Sequence, residues 1–281
     1  MTSPETRCAP RSTHPLVVDA ISKEFGAGAS RHRVLEGLSQ VVHPGEFVSI
    51  VGPSGAGKTT LLRCLSGLME PTSGSVRYGD QRVDRPLAEI AVVFQDYRGS
   101  LMPWMTVLDN VSFPLQGMGV KKAERTRRAL AALHSVGLGD VGGKHPWQLS
   151  GGMQQRVAIA RALAYDSPIL LMDEPFGSVD AQTRFELEDL ILRLRATLGL
   201  TIVLVTHDID EAVYLSDRVV VVAGKPTRVI DDIPIELGLE RDQITTKADP
   251  RFTALRSRVL RELRAPQPDR VVDAHPERTS A

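Results

Sequence analysis

Short runs of apolar, largely β-branched residues recur along the chain and predict strands. They cover residues 16–21, 47–51, 90–94, 169–172, 201–205 and 219–222. The last four runs are almost continuously hydrophobic, which is the pattern of strands buried on both faces of a mainly parallel sheet. We therefore expect this sheet to lie in the interior of the protein.

Between the predicted strands, apolar residues spaced three and four positions apart predict amphipathic helices. They cover residues 58–68, 121–136, 151–164 and 181–198. The stretch from about residue 98 to residue 150 contains Pro103, Pro114 and Pro146 and no convincing strand. It therefore predicts a helical insertion between two strands of an α/β fold.

The two ends of the chain differ in composition from the middle. Residues 1–15 and 265–281 are rich in Pro, Ser, Thr and charge, and they carry little apolar material. Such segments predict mobile tails, because they have little surface to bury in return for ordering. Between them we expect one main domain over residues 16–240, with a helical subdomain at about 98–165. A C-terminal helical extension is expected over residues 241–264.

Charge and cysteine content narrow the function classes. Lys plus Arg and Asp plus Glu number 34 each, so the net charge is zero and no basic field attracts nucleic acid. Cys8 and Cys64 match neither a disulfide framework nor a metal site, which suits a reducing compartment. No apolar run approaches the roughly 20 residues that span a bilayer, so we expect any work at a membrane to be done from outside the lipid.

A phosphate-binding loop follows the predicted strand at residues 47–51. Residues 52–59 read GPSGAGKT and match GxxxxGK[ST] at the start of a predicted helix. The backbone N–H groups of such a loop point at the β- and γ-phosphates of a nucleotide. Lys58 adds a positive charge for these phosphates, and Thr59 adds a hydroxyl for Mg²⁺. The residues expected to bind ATP here are Gly52, Pro53, Ser54, Gly55, Ala56, Gly57, Lys58, Thr59 and Thr60.

The predicted strand at residues 169–172 is followed by two carboxylates, Asp173 and Glu174. Open α/β sheets bind ligands at the carboxyl ends of their strands. Asp173 is predicted to hold Mg²⁺, and Glu174 is predicted to act as the general base on the attacking water. A polar cap on a strand would be the better interpretation of such a pair in a chain without a phosphate-binding loop.

A second anion-binding helix start lies at residues 149–156, which read LSGGMQQR. Ser150 stands at the N-cap, and Gly151 and Gly152 expose backbone N–H groups. Between a P-loop and an acidic strand, this motif resembles the signature of ABC-type ATPases, which pairs with the P-loop of the opposite subunit. The resemblance covers residues 16–235. It implies a P-loop NTPase core with a mainly parallel sheet, an N-terminal antiparallel β part and an inserted helical subdomain.

The resemblance also assigns roles to residues outside these motifs. Gln95 resembles the Q-loop glutamine, which contacts Mg²⁺ and the attacking water, and His207 resembles the switch histidine at the γ-phosphate. Residues 178–180 resemble the D-loop of the dimer interface, with Val179 in place of the commoner Leu. The residues so expected at the nucleotide are Phe25, Ser150, Gly151, Gly152, Gln154 and Asp180. Thr59, Gln95 and Asp173 are expected at the metal, and Glu174, His207 and Gln95 in catalysis. For Phe25, packing on the core is an equal alternative to stacking on adenine.

Two segments, SLMPWMTV at residues 100–107 and EPFGSVDAQTR at residues 174–184, resemble importer ATPases of the nitrate, sulfonate and taurine class. The resemblance implies a homodimer in the ATP-bound state, bound peripherally to the cytoplasmic face of the membrane. Permease subunits would dock near Gln95 and residues 101–106, from Leu101 to Thr106. An external solute-binding protein would act indirectly.

Trp104 lies within this docking segment, and an exposed Trp suits the binding of a partner helix. Packing of Trp104 inside the helical insertion is the alternative. The spacing from Gln95 to Pro103 is longer than the commonest form in the importer class. The sequence therefore leaves the solute open.

Two other function classes are compatible with a P-loop. An ABC ATPase that acts on nucleic acid or ribosomes needs a long coiled-coil insertion or two linked cassettes, and the chain has neither a heptad run nor a second P-loop motif. A plain P-loop kinase would have no use for the helix start at Ser150. We therefore expect ATP hydrolysis coupled to transport.

Overall fold

The computed structural model describes residues 8–265, in which an antiparallel β part comes first and strands and helices then alternate. The elements, in chain order, are β1 (Leu16–Phe25), β2 (His32–Val42), β3 (Phe47–Val51), α1 (Lys58–Leu65), β4 (Ser73–Tyr78), β5 (Gln81–Arg82), β6 (Ile90–Val93), α2 (Tyr97–Ser100), α3 (Val107–Gly117), α4 (Lys122–Ser135), α5 (Gly151–Ala164), β7 (Ile169–Asp173), α6 (Ala181–Leu198), β8 (Thr201–Thr206), α7 (Ile209–Leu215), β9 (Arg218–Ala223), β10 (Arg228–Pro234), α8 (Thr245–Ala248) and α9 (Pro250–Arg264).

The larger sheet has six strands in the order β10-β9-β3-β8-β7-β6. Its strands are parallel from β6 to β9, and β10 is added antiparallel at one edge. Every residue of β3, β7 and β8 is buried, as expected for apolar runs covered on both faces. The predicted α/β fold with a mainly parallel sheet is confirmed.

The smaller sheet is antiparallel, with the strand order β2-β1-β4-β5. Its apolar face packs on the larger sheet, where Leu38 and Val76 share a core with Val48 and Ile50 of β3. The apolar runs predicted only β1 in this sheet and ended it at residue 21. The other strands were missed because exposed polar residues interrupt their apolar positions, as in β4, where Val76 alone is buried.

The inserted subdomain consists mainly of α3, α4 and α5, which pack on one another. α3 was not predicted, because Pro114 lies inside it. Thr106 caps its N-terminus by accepting a hydrogen bond from the backbone N–H of Asp109 at 3.1 Å. The segment that follows α4 returns to the start of α3, where the N–H of Val107 donates to the carbonyl of Lys144 at 2.7 Å. This hydrogen bond holds the residue that follows the docking segment.

The two ends of the described chain pack on the core. Residues 8–15, expected to be part of a mobile tail, are held because the N–H of Arg11 donates to the carbonyl of Gly199 at 2.8 Å and Ser12 is buried. At the other end, α9 packs on α7 and β9. The tails expected at residues 1–7 and 266–281 lie outside the described residues. Within residues 8–265, no helix has the length and apolar character to cross a membrane.

Candidate active site

The P-loop connects β3 to α1 and lies against two neighbouring strands. A Cβ on Gly52 would come within 2.5 Å of the carbonyl oxygen of Val222, and one on Gly57 within 2.6 Å of Cγ1 of Val34. Gly57 also has a φ of +69°, which favours glycine. Side chains are therefore excluded at both ends of the loop, and its backbone can curl around an anion.

Lys58, the first residue of α1, extends back beneath the P-loop. Its Nζ donates to the carbonyl oxygens of Gly52 at 2.8 Å and Pro53 at 3.1 Å, and it lies 3.8 Å from Oε1 of Glu174. Burial lowers the pKa of Lys58, while the charges of Glu174 and Asp173 oppose this shift. The ammonium group is thus fixed next to the backbone groups that would receive the phosphates.

Asp173 and Thr59 form a pair of oxygen donors beside Lys58. The hydroxyl of Thr59 donates to Oδ1 of Asp173 at 3.4 Å, and the carboxylate is almost fully buried. Burial raises the pKa of Asp173, the Thr59 contact lowers it and the charge of Glu174 raises it further. A buried carboxylate beside a hydroxyl is a suitable ligand set for a hard cation such as Mg²⁺, whose charge would stabilise the ionised form.

Glu174 lies where the other predicted catalytic residues converge. Its Oε2 accepts a hydrogen bond from Nε2 of Gln95 at 3.2 Å and lies 3.1 Å from Nδ1 of His207. Gln95 follows β6 and His207 follows β8, so three adjacent strand ends supply the three side chains. We call Lys58, Gln95, Asp173, Glu174 and His207 the catalytic edge.

The backbone of Glu174 is both fixed and strained. Its N–H donates to the carbonyl of Val205 at 2.8 Å, which extends the sheet by one residue beyond β7. Its φ is +42°, in the left-handed region that few residues with a side chain adopt. Strain of this kind persists where the surroundings hold it and concentrates at functional sites. It directs the carboxylate of Glu174 away from the buried sheet and towards Gln95 and His207.

The signature turn, residues 149–152, lies at the start of α5 in the inserted subdomain. Ser150 caps α5 by accepting a hydrogen bond from the N–H of Met153 at 3.3 Å. Gly152 faces α6 closely, because a Cβ there would lie 2.3 Å from Cγ2 of Thr183. Within residues 8–265, no hydrogen bond or ion pair joins the signature turn to the P-loop of the same chain.

The side chain of Gln154 hydrogen-bonds to the backbone just before α5. Its Nε2 donates to the carbonyl oxygens of Pro146 at 3.0 Å and Leu149 at 3.1 Å. These contacts hold the turn that precedes α5 in place. The expected contact of Gln154 with nucleotide stays a prediction.

Asp180 precedes α6, and Phe25 ends β1 with a partly exposed ring. Asp180 caps α6 by accepting from the N–H of Thr183 at 3.0 Å, and its hydrogen bonds to Thr183 lower the pKa of its carboxyl group. Phe25 ends β1 opposite His32 and is 40% exposed. Two residues further along β2, Val34 contacts Gly57 of the P-loop. The exposed ring of Phe25 is therefore on the side of the ATP site, which argues against its being a core residue.

Sequence reasoning missed two side-chain pairs beside His207, of which Thr206 and Glu211 are buried while Arg184 and Asp208 are partly exposed. The hydroxyl of Thr206 donates to Oε2 of Glu211 at 2.7 Å, and Nη1 of Arg184 donates to Oδ2 of Asp208 at 3.1 Å. Burial raises the pKa of Glu211 to about 7, and Thr206 opposes the shift. A glutamate next to the apolar run 212–215 was the available signal, since an ionisable residue on a buried helix face needs a partner.

A second missed contact joins the signature helix to the Q-loop. Arg161 of α5 donates to the carbonyl of Ser100 at 2.5 Å and to its hydroxyl at 2.7 Å. Ser100 ends α2, five residues after Gln95. The residue that precedes the docking segment is therefore held by α5.

The sequence model that describes ABC transporters matches residues 35–177, which is about half of the chain. This chain belongs to the ABC transporter family. The taurine import ATP-binding protein TauB of Chromobacterium violaceum is 44% identical over 252 residues, covering 88% of this chain and 95% of that protein. The bicarbonate transport ATP-binding protein CmpD of Synechocystis is 40% identical over 253 residues, covering 89% of each.

Two solved structures of a bacterial ABC transporter cassette are similar in fold. The dimeric cassette has a TM-score of 0.69 and 34% identity, and it covers 79% of this chain and 99% of its own. A dimeric post-hydrolysis state bound to ADP and Pi has the same TM-score and coverage at 33% identity. The ABC cassette fold, the binding of ATP and its hydrolysis, all predicted from the motifs, are confirmed. A plain P-loop kinase is excluded.

Proposed function

We propose that this chain is the ATPase subunit of an importer, and that it works as a homodimer in the ATP-bound state on the cytoplasmic face of the membrane. One observation carries the catalytic part of the proposal. The carboxylate of Glu174 lies beside Gln95 and His207, at the end of the P-loop that holds Lys58. A base, an orienting amide and a switch residue thus surround the position of the attacking water.

The reaction follows from this geometry. Glu174 orients a water molecule and accepts its proton while the oxygen attacks the γ-phosphorus in line with the bond to ADP, which breaks. Lys58 and the N–H groups of the P-loop stabilise the charge that spreads over the γ-phosphate oxygens. His207, 3.1 Å from Glu174, helps to fix the carboxylate and lies at the γ-phosphate side of the site. Most of the rate comes from this positioning and charge stabilisation.

Thr59, Asp173 and Gln95 would hold Mg²⁺, since a hydroxyl, a carboxylate and an amide oxygen are the ligand types that this ion prefers. When bound, Mg²⁺ neutralises charge on the β- and γ-phosphates. Among residues 8–265, the buried carboxylate of Asp173 accepts a hydrogen bond from Thr59 and forms no ion pair with an arginine or lysine, which leaves it available to the ion. We expect Asp173→Asn to weaken ATP binding more in the presence of Mg²⁺ than in its absence.

The signature turn completes the site of a second copy. Ser150, Gly151 and Gly152 start a helix whose N–H groups and dipole favour an anion, yet no hydrogen bond or ion pair joins them to their own P-loop in the part of the chain that the structure describes. In a two-fold symmetric dimer the same surface serves both partners. Two ATP molecules would therefore be held between two chains, each by one P-loop and one signature turn.

The permease would dock on the inserted subdomain beside Gln95. Trp104 is 74% exposed, which fits a docking residue and not the alternative of a core residue. Trp147 is 70% exposed and follows residues 142–144, which hydrogen-bond with residues 107–108 just after the docking segment. Two exposed tryptophans offer large apolar contacts at low entropic cost, and they suit a short amphipathic helix of a membrane subunit.

The docking proposal is tested with Trp104→Ala, beside Phe113→Ala as a matched loss of an exposed ring on α3. Loss of a Trp anchor at an interface weakens binding by about 30-fold to 1,000-fold. We expect this loss in permease pull-down for Trp104→Ala alone, with unchanged basal ATPase and melting temperature. A lowered melting temperature with normal pull-down of the folded protein would contradict the proposal.

The solute is proposed from the relatives named for taurine import and bicarbonate transport. We expect nitrate, a sulfonate, taurine or a similar small solute, selected by an external binding protein and the permease. Calorimetry on the binding protein encoded beside this chain, with taurine, nitrate, bicarbonate and an alkanesulfonate, tests this. In proteoliposomes that solute should raise ATPase through the permease, whereas stimulation by nucleic acid instead would overturn the importer proposal.

A further inference from the structure

The segment of residues 241–247, here called the C-terminal clasp, contacts the two helices that lead away from the catalytic edge. α6 begins directly after Asp180, the expected D-loop residue, and α7 begins two residues after His207. Three side chains of the clasp make the contacts, and they come from Arg241, Gln243 and Lys247. The clasp lies far from the catalytic residues in sequence, and no role follows for it from the ABC motifs.

Arg241 binds the last turn of α7. Its guanidinium donates to the carbonyl oxygens of Tyr214 at 2.5 Å and Ser216 at 2.7 Å. The last carbonyl groups of a helix have no partner within the helix, and their partial negative charge favours a cation. Arg241 therefore fixes the end of α7 that points away from His207.

Gln243 binds α6 at the point where α6 contacts α7. Its Nε2 donates to Oε2 of Glu188 and to Oδ1 of Asp189, both at 2.9 Å, and both acceptors lie on α6. The same Oδ1 of Asp189 accepts a hydrogen bond from the hydroxyl of Tyr214 on α7 at 2.7 Å. The amide thus holds the carboxylate through which α6 contacts α7.

Lys247 places a positive charge at the contact between α6 and α7, here called the junction. Its Nζ lies 3.4 Å from Oε2 of Glu188, a residue that is 1% exposed. The ammonium also lies 4.5 Å from the ring centroid of Phe185 and 4.8 Å from that of Tyr214. Among residues 8–265, no other lysine or arginine is within ion-pair distance of Glu188. Without Lys247, a buried carboxylate would lose its compensating charge.

The junction extends to the backbone on both sides of His207. Arg184, one turn before Glu188 on α6, donates to the carboxylate of Asp208 at 3.1 Å. The N–H of Asp208 donates to the hydroxyl of Thr206 at 3.0 Å. Because Thr206 and Asp208 flank His207, the relative position of α6 and α7 determines where the histidine lies.

We propose that Lys247 is a positioning residue for ATP hydrolysis, which holds α6 and α7 in register so that His207 stays within reach of Glu174. It lies outside the catalytic edge and acts through Glu188 of α6 and Tyr214 of α7. The D-loop at the start of α6 and the switch histidine before α7 then move as one body. This inference rests on the catalytic roles proposed above for Glu174 and His207.

The test uses the full chain and four variants: Lys247→Met, Lys247→Arg, Lys247→Met with Glu188→Gln, and Arg258→Met. Arg258 is the matched control, since it makes an ion pair from the same extension, at 3.0 Å to Asp231 of β10, away from α6. The measurements are kcat and KM for ATP per folded molecule, ATP affinity by calorimetry, and melting temperature.

Lys247→Met should lower kcat about tenfold and change KM and ATP affinity less than about twofold, because misplaced catalytic groups slow chemistry without altering the phosphate cradle. Lys247→Arg should retain activity within about twofold, since arginine keeps the charge and the ring contacts. Adding Glu188→Gln to Lys247→Met should restore most of the lost kcat, because it removes the uncompensated charge. Arg258→Met should match the wild type.

The proposal is overturned if Lys247→Met keeps the wild-type kcat per folded molecule, if Arg258→Met loses as much kcat, or if Glu188→Gln restores nothing. A purely structural role would appear as a lower melting temperature with normal kcat in the folded fraction. Failure of the underlying catalytic assignment appears separately, as normal turnover by Glu174→Gln. The two outcomes are therefore distinguishable.

Discussion

The catalytic edge and the signature turn both occupy positions suited to phosphate, but they differ in what the single chain provides. At the catalytic edge, Lys58, Gln95 and His207 all lie within 3.8 Å of the carboxylate of Glu174. The signature turn has a capped helix start and no partner from its own P-loop among residues 8–265. The catalytic side chains thus meet within one chain, whereas we propose that a second chain closes the site.

The largest effect is expected at the catalytic edge. Glu174→Gln should lower kcat by about a hundredfold to ten-thousandfold, because the amide cannot accept the proton of the attacking water. ATP affinity should be retained, since Lys58 and the P-loop are untouched. Steady-state ATPase beside calorimetry with ATP checks both, with Glu186→Gln on α6 as a control that should behave as the wild type. Near-normal hydrolysis by pure Glu174→Gln would remove Glu174 from the general-base role.

The next effect concerns the signature turn. Ser150→Arg should lower ATPase at least about a hundredfold, because it obstructs the anion site that the turn offers to the partner chain. Binding of ATP to the P-loop of the same chain should remain. Gln116→Arg places an arginine on the exposed part of α3 in the same subdomain and should leave ATPase unchanged. Equal loss of ATP binding and turnover in Ser150→Arg would show that the turn serves its own chain.

A pH-dependent effect should distinguish the two regions, because the residues behind the catalytic edge titrate and those of the signature turn do not. Burial raises the pKa of Glu211 from 4.5 to about 7, with smaller contributions from the charges of Asp208 and Glu188, while Thr206 and Arg184 oppose the shift. The folded state therefore binds an extra proton between these values. The stabilisation that this proton gives to the folded state is fully present below pH 4.5 and is lost as the pH rises through about 7.

Urea unfolding at about pH 5.5 and about pH 8 checks this sign. Between the lower and the higher pH, the free energy of unfolding of the wild type should fall by about 2 kcal/mol more than that of Glu211→Gln. The glutamine does not titrate but still accepts the hydrogen bond from Thr206. Ser150→Ala, with its loss of a helix cap, should lower stability equally at both pH values. A parallel decline of the wild type and Glu211→Gln would contradict the raised pKa.

The smallest effect is expected from Phe25, at the outer side of the ATP site. Phe25→Ala should raise KM for ATP about tenfold and change kcat less, because stacking on adenine is made equally in the ground and transition states. His32→Ala is the control, because it removes the residue opposite Phe25 on β2 and leaves the phenylalanine ring in place. Unchanged ATP affinity in Phe25→Ala would show that another residue contacts the base.

The sequence predicted the catalytic edge more fully than its surroundings, and the reason is physical. Gln95, Glu174 and His207 each follow a buried apolar strand, so their meeting at one edge follows from a parallel sheet. The antiparallel strand β4 was missed because it is half exposed and alternates weakly. The contact of Gln243 with Glu188 joins residues 55 positions apart, and no local pattern indicates it. Only the packing of the C-terminal extension brings these residues together.

The most direct test of the central claim combines two inactive variants. Lys58→Ala disables the P-loop and Ser150→Arg disables the signature turn, so each homodimer should be inactive. A mixed dimer contains one site made of the intact P-loop of one chain and the intact signature turn of the other. If sites are shared between chains, mixing equal amounts should restore about a quarter of the wild-type ATPase, since half of randomly formed dimers are mixed and each has one complete site. A mixture that stays inactive, although both variants fold and form mixed dimers, would contradict the account.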